Sequence, residues 1–168
     1  MTTLATDKAR SFELGEQNDL PVIATDIIYE GAAVGDNGAG YARPLQAGDP
    51  FRGFALYQAD NSLGAAGAIN VKLRQKGRVE LAVASAAITD VGKAVYASDD
   101  DTFVLTATGN SYVGRIIRWV ATGKAIVEFD ASSPPNAAIV GLTDSSTGTG
   151  GGNTIGAVND VGTAANAI

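Results

Sequence analysis

An all-β fold, a small β-barrel or β-sandwich body with an extended N-terminal arm and a low-complexity C-terminal tail, follows from three features of the sequence. Short runs rich in β-branched and aromatic residues recur with turn signals about every ten residues. Glycine, at 21 of 168 residues, gathers at the breaks between those runs. No segment carries the 3.6-residue periodicity of a long amphipathic helix.

The elements follow in chain order. Residues 1–20 are polar and weakly patterned, with Leu4, Phe12 and Leu14 as the sizeable apolar anchors, and read as an arm that orders against a partner. The β-type body spans 21–130. It opens with "VIATDIIYE" (22–30), and "GDNGAG" (35–40) then supplies residues that tolerate the positive φ of tight turns. The expected strands that follow are "FRGFALYQA" (51–59), "INVKL" (69–73), "RVELAVA" (78–84), "KAVYAS" (93–98), "TFVLTA" (102–107), "YVGRIIRWV" (112–120) and "KAIVEFD" (124–130). "SDDD", "TGNS" and "ATGK" separate the later ones at hairpin distances. "VASAAITD" (83–90) is the one place where a short helix competes.

Residues 131–168 differ in composition. "ASSPPNAA" (131–138) is a stiff linker, because consecutive prolines favour the extended polyproline conformation. Beyond it Asp144 and Asp160 are the only charged side chains, and the larger aliphatics are too few to offset the entropy of ordering the segment alone.

Composition excludes several function classes. A net charge of −6 argues against nucleic-acid binding, which needs a basic footprint. Without histidine or cysteine, the chain lacks the commonest general base and any thiolate ligand. No apolar run reaches the roughly 20 residues of a membrane helix. The N-terminal residues mix both charge signs without an apolar stretch, so the expectation is a chain that is synthesised in a cytoplasm and carries no secretory signal.

The motifs that invite chemistry fall short of it. "TDSSTGTGGGNTIGAVND" (143–160) has the glycines of a phosphate cradle, but Ala157 and Val158 stand where lysine and Ser/Thr are needed. "SDDDT" (98–102) lacks the alternating ligands and distal glutamate of a calcium loop and reads as a solvated hairpin turn. No cofactor or metal is expected, and no S-x-x-K arrangement activates a serine. Paired carboxylates of the glycosidase kind leave a hydrolase as a distant alternative. In "KLRQKGR" (72–78), Lys72, Arg74, Lys76 and Arg78 share one parity, so an extended chain would point all four to one face, about 6.6 Å apart. That stripe reads either as a solvated face neutralised by neighbouring carboxylates or as a contact for an acidic protein surface. Trp119, the only tryptophan, reads as core or interface packing.

The segment from Ile88 to Asp130 carries a resemblance. Gly92 to Tyr96 ("GKAVY"), an acidic turn, Ala107 to Asn110 ("ATGN"), the pair Val113–Gly114 and the strand Gly123 to Phe129 resemble the decoration, or head cement, proteins of tailed bacteriophages. Earlier parts match more loosely, and the likeness covers about two-thirds of the chain. It implies a non-enzymatic virion protein, commonly a homotrimer, that binds the outer face of the major capsid protein and stabilises the expanded shell. It further implies an N-terminal arm that adds to a capsid sheet. On that reading the capsid contacts are Leu4, Lys8, Arg10, Phe12 and Leu14 in the arm with Lys72, Arg74, Lys76 and Arg78, and the contacts between copies are Trp119, Val158, Val161 and Ile168. Val158, Val161, Ala165 and Ile168 begin a heptad. Neither nucleic acid nor membrane is an expected partner; a host-surface glycan or a fibre reached through the tail is a further one. The alternative is a β-sandwich carbohydrate-binding or adhesion module on the head surface.

Overall fold

The computed structural model describes residues 15–132, all within one unit of the chain, Met1–Pro134. These residues form an all-β body of two five-stranded antiparallel sheets. The first half contributes β1 (Gln17–Pro21), β2 (Ile27–Ile28), β3 (Ala33–Asp36), β4 (Ala42–Pro44), β5 (Phe51–Ala55), β6 (Ala59–Asp60) and β7 (Asn70–Arg74). The second contributes β8 (Lys76–Ala82), a 3-10 turn (Ile88–Asp90), β9 (Ala94–Ala97), β10 (Phe103–Val104), β11 (Ser111–Ala121) and β12 (Lys124–Asp130). No helix among the described residues is long and apolar enough to cross a membrane.

The two halves are copies of one design. The first sheet runs β1-β7-β5-β3-β4 and the second β8-β12-β11-β9-β10, while β2 and β6 pair apart as a small ribbon. Leaving that ribbon aside, each half orders its strands first, fifth, fourth, second, third. The registers match residue for residue: Leu20 faces Val71 as Leu81 faces Ala125, and Gly35 faces Arg43 as Tyr96 faces Val104. A bulge falls at Arg52 in β5 and at Val113 in β11. Each sheet brings its edges together at one parallel bridge, Val22 to Ala42 and Val83 to Phe103. Neither sheet closes into a barrel, which narrows the expected body to curled open sheets.

Sequence traces of the repeat are sparse. Leu20, Val22, Gly31, Ala33 and Val34 recur at a constant offset as Leu81, Val83, Gly92, Ala94 and Val95. The turn glycines Gly48 and Gly109 both take positive φ, at +90° and +76°. The halves differ most between the fourth and fifth strands, where residues 56–69 stand in place of the shorter 117–123.

Packing breaks the symmetry. Successive residues of a strand face opposite sides, and the first sheet is buried on both. Val34, Ala55, Val71 and Leu73 fill the core of their own half. Ala33 and Phe54, with Leu45, enter the core of the second half beside Val95, Phe103, Ile116, Val127 and Phe129. Phe54 meets Phe129 edge-on at 4.9 Å, a preferred aromatic geometry. The corresponding residues of the second half, Ala94 and Arg115, face outward; Ala94 is half-buried and Arg115 exposed. A polar outer face thus ends the stack, as terminal repeats require.

Several elements depart from the sequence reading. Gln17–Pro21 lies partly within the expected arm yet pairs along its whole length with β7. The run 22–30 yields only Ile27–Ile28, because Thr25 takes φ +57° and turns the chain. β3 and β4 flank the expected turn at 35–40. The competing helix is the short Ile88–Asp90 turn, and Asp90 Oδ2 accepts the Ala87 N–H at 2.7 Å.

Candidate docking surfaces

Gln75 joins the two halves and ties down both ends of the body. Its N–H donates to the Glu16 carbonyl at 2.8 Å, and its carbonyl accepts the Ala131 N–H at 2.7 Å. The described residues therefore begin and end on either side of one residue. The cationic stripe crosses the same point. Lys72 and Arg74 belong to β7, Lys76 and Arg78 to β8, so the expected continuous stripe is divided between two sheets. All four side chains are exposed.

Carboxylates stand opposite three of them. Asp19 faces Lys72, Asp130 faces Lys76 and Glu128 faces Arg78 in the strand registers. Arg78 Nε donates to Glu128 Oε1 at 3.0 Å, and Arg74 lies 4.0 Å from Glu16. Exposed pairs of this kind contribute about 0–1 kcal/mol, so their effect is on local charge more than on stability. Among the described residues Lys72 and Lys76 form no ion pair. The stripe is a laddered face with two unpaired lysines, nearer the solvated reading than a strong positive field.

The acidic turn uses its own charge. Asp99 Oδ1 accepts the N–H groups of Asp101 and Thr102 at 3.0 and 2.7 Å. Those hydrogen bonds, chiefly that from Asp101, hold the Asp99 carboxyl below its ordinary range against burial. Burial pushes the Asp100 carboxyl up, and the neighbouring Asp99 and Asp101 charges add to it. The Asp100 carbonyl meanwhile accepts the Ala33 N–H at 2.8 Å, which fastens this turn to the first sheet.

Trp119 faces Ala125 across β11 and β12 and is half-buried. Its Nε1 is shielded from solvent and meets no acceptor among the described residues. The proposed contacts Leu4, Lys8, Arg10, Phe12, Leu14, Val158, Val161 and Ile168 lie outside the described residues.

The exposed large apolar side chains gather at corresponding places in the two halves. Tyr29, Tyr57 and Leu63 project from β2, β6 and their connections, while Ile88, Val91 and Val120 project from the 3-10 turn and the end of β11. Sequence reasoning did not find Leu63. Its one signal was a lone leucine between Ser62 and Gly64 in an otherwise polar and small-residue loop.

No protein-family model matches the chain, and no curated protein matches it. The functional reading therefore rests on the residues themselves.

Proposed function

We propose that this is a structural protein of a phage virion, which binds the outer surface of the capsid as a trimer and stabilises the expanded shell. The observation that carries this reading is the likeness of residues 88–130 to head cement proteins. That stretch takes in the 3-10 turn and β9 through β12, four of the five strands of the second sheet.

Two features of the body are compatible with a clamp. The described residues begin and end on either side of Gln75, which lies between Lys72 and Lys76 in the chain, and neither lysine forms an ion pair among the described residues. Arm residues adding to a sheet of the shell would supply main-chain hydrogen bonds, and the lysines would meet an acidic rim. A protein that binds only the expanded shell stabilises it by mass action, in proportion to its occupancy. The chemistry asked of the chain is binding alone, in the shell of a virion assembled in the host cytoplasm.

The test is co-sedimentation of the full chain with purified expanded shells, with and without residues 1–14. Saturable binding that falls on deletion supports the reading; undiminished binding by the truncated chain removes the arm from it.

A carbohydrate-binding module would present a flat aromatic platform. Among the described residues Tyr29 and Tyr57 are the exposed aromatics, and Tyr96 and Tyr112 stand edge to face at 73°. That arrangement favours packing over sugar stacking, and a glycan array without hits would remove the alternative.

A further inference from the structure

The internal repeat provides a control for the loop at residues 56–69. The second half joins the same two strands with residues 117–123, so the fold does not require the longer connection. Yet the loop is held firmly. Asn61, only 2% exposed, donates through Nδ2 to the carbonyls of Ile23 at 2.7 Å and Ala65 at 2.9 Å. Its N–H reaches the Asp26 carbonyl, and the Thr25 N–H returns to Gly64. A side chain at Gly64 would collide with the Asn61 amide. The product of this construction is Leu63, 100% exposed at the tip. A pre-ordered loop that presents one bare aliphatic side chain loses little entropy on docking.

The loop itself carries no positive charge. From Gly53 to Val71 there is no lysine or arginine, while Asp26 and Asp60 flank the tip. The second half offers the complement. The Gly123 N–H donates to the Ala86 carbonyl at 2.9 Å and so sets the β11–β12 hairpin beside the 3-10 turn. Ile88, Val91 and Val120 are exposed there, with Lys93 and Arg118 as neighbours in the chain. Lys93 is engaged by Asp90 at 2.8 Å; Arg118 forms no ion pair among the described residues.

We infer that the Leu63 loop of one copy docks on the Ile88–Val91–Val120 patch of a second copy, with Asp60 directed to Arg118. The two surfaces differ, so the contact is heterologous and closes into a ring when the rotation permits. The inference deepens the self-association in the proposed function and owes nothing to capsid binding.

The chain has no cysteine, which makes the test clean. Leu63→Cys and Val120→Cys are prepared separately in the full chain, mixed and mildly oxidised. The expected result is a disulfide-linked dimer from the mixture and none from either variant alone. The variant carrying both substitutions forms a ladder that ends at the number of subunits in the ring. In parallel, Asp60→Lys and Arg118→Asp each weaken association on the order of tenfold, and the chain carrying both substitutions, in which every contact is again complementary, recovers it. A cross-link from Leu63→Cys alone, no cross-link in the mixture, or a monomeric native mass at every concentration overturns the inference. Normal native mass with lost shell binding in Leu63→Asp would overturn it too, by assigning the loop to the shell. Shell binding is scored separately, so failure here leaves the capsid reading standing or falling on its own measurement.

Discussion

Gly114 stands so close to the carbonyl oxygen of Glu128 that a β-carbon there would collide with it, and Gly53 meets the Arg74 carbonyl in the same way. The two contacts occupy the same position in the two halves, in the fourth strand beside its bulge and against the fifth. Only glycine lets the strands approach this closely. Backbone atoms cannot yield as a flexible side chain can, so Gly114→Ala is expected to destabilise the body by about 2–4 kcal/mol. Gly109→Ala, with open space around it and φ +76°, should cost only about 1 kcal/mol. Thermal or urea unfolding of both variants checks the difference, and equal losses would contradict the close contact.

Phe54 and Arg115 share one position in the repeat but not one environment. Phe54→Ala empties space between Phe103 and Phe129 and should cost about 3–5 kcal/mol. Arg115→Ala, on the outer face, should stay within about 0.5 kcal/mol of the parent. Equilibrium unfolding measures both. Comparable losses would mean that the second half is also capped by a neighbour in solution.

The buried amide of Asn61 makes a separate prediction. Asn61→Ala leaves the carbonyls of Ile23 and Ala65 without their donor, at a cost of about 1–3 kcal/mol. Hydrogen exchange should quicken at Asn61, Gly64 and Gly67, whose N–H groups the loop holds, and remain unchanged in the second sheet. Exchange spread evenly over both halves would sink this assignment.

Acid stability follows from the carboxylates. Burial pushes the Asp36 carboxyl up, but hydrogen bonds from the Gly38 N–H and the Arg52 guanidinium together outweigh it and hold the group below 3.8. A depressed folded-state pKa contributes stability that is complete above 3.8 and is lost as pH falls through the folded value. Asp99 acts in the same direction. Asp100, raised by burial, acts oppositely: its ionised form costs the fold stability at higher pH, and the cost is relieved on acidification. Melting temperature followed downward through pH 3.8 should fall, and Asp36→Asn should flatten that fall. An identical slope in the variant would refute the role given to Asp36.

The later strands were legible because their apolar residues alternate. β9 and β12 lie within the runs read from the sequence, β8 starts two residues before its run and β11 extends one residue beyond its run at each end. In β12 Ala125, Val127 and Phe129 are inward and Lys124, Glu128 and Asp130 outward. β1 was not legible. "QNDLP" is polar, and it is a strand only because β7 supplies its partners. The repeat was hidden for a related reason. What the halves share is register, a bulge and glycine geometry, and Phe54 against Arg115 or Gly35 against Tyr96 erase the likeness at the side chains. At the candidate surfaces, parity indicated that the four cations would be exposed. That Glu128 pairs with Arg78, and that Asp19 and Asp130 stand opposite Lys72 and Lys76, depends on strand registers that no local pattern reveals.

Occupancy of purified expanded shells by the full chain, measured by co-sedimentation over a concentration series, tests the capsid reading most directly. Saturable binding is predicted, together with a raised disruption temperature of the shell and lowered occupancy when residues 1–14 are removed from a body that melts as before. Absence of binding at saturating concentration, or binding that leaves the shell no more stable, would contradict it.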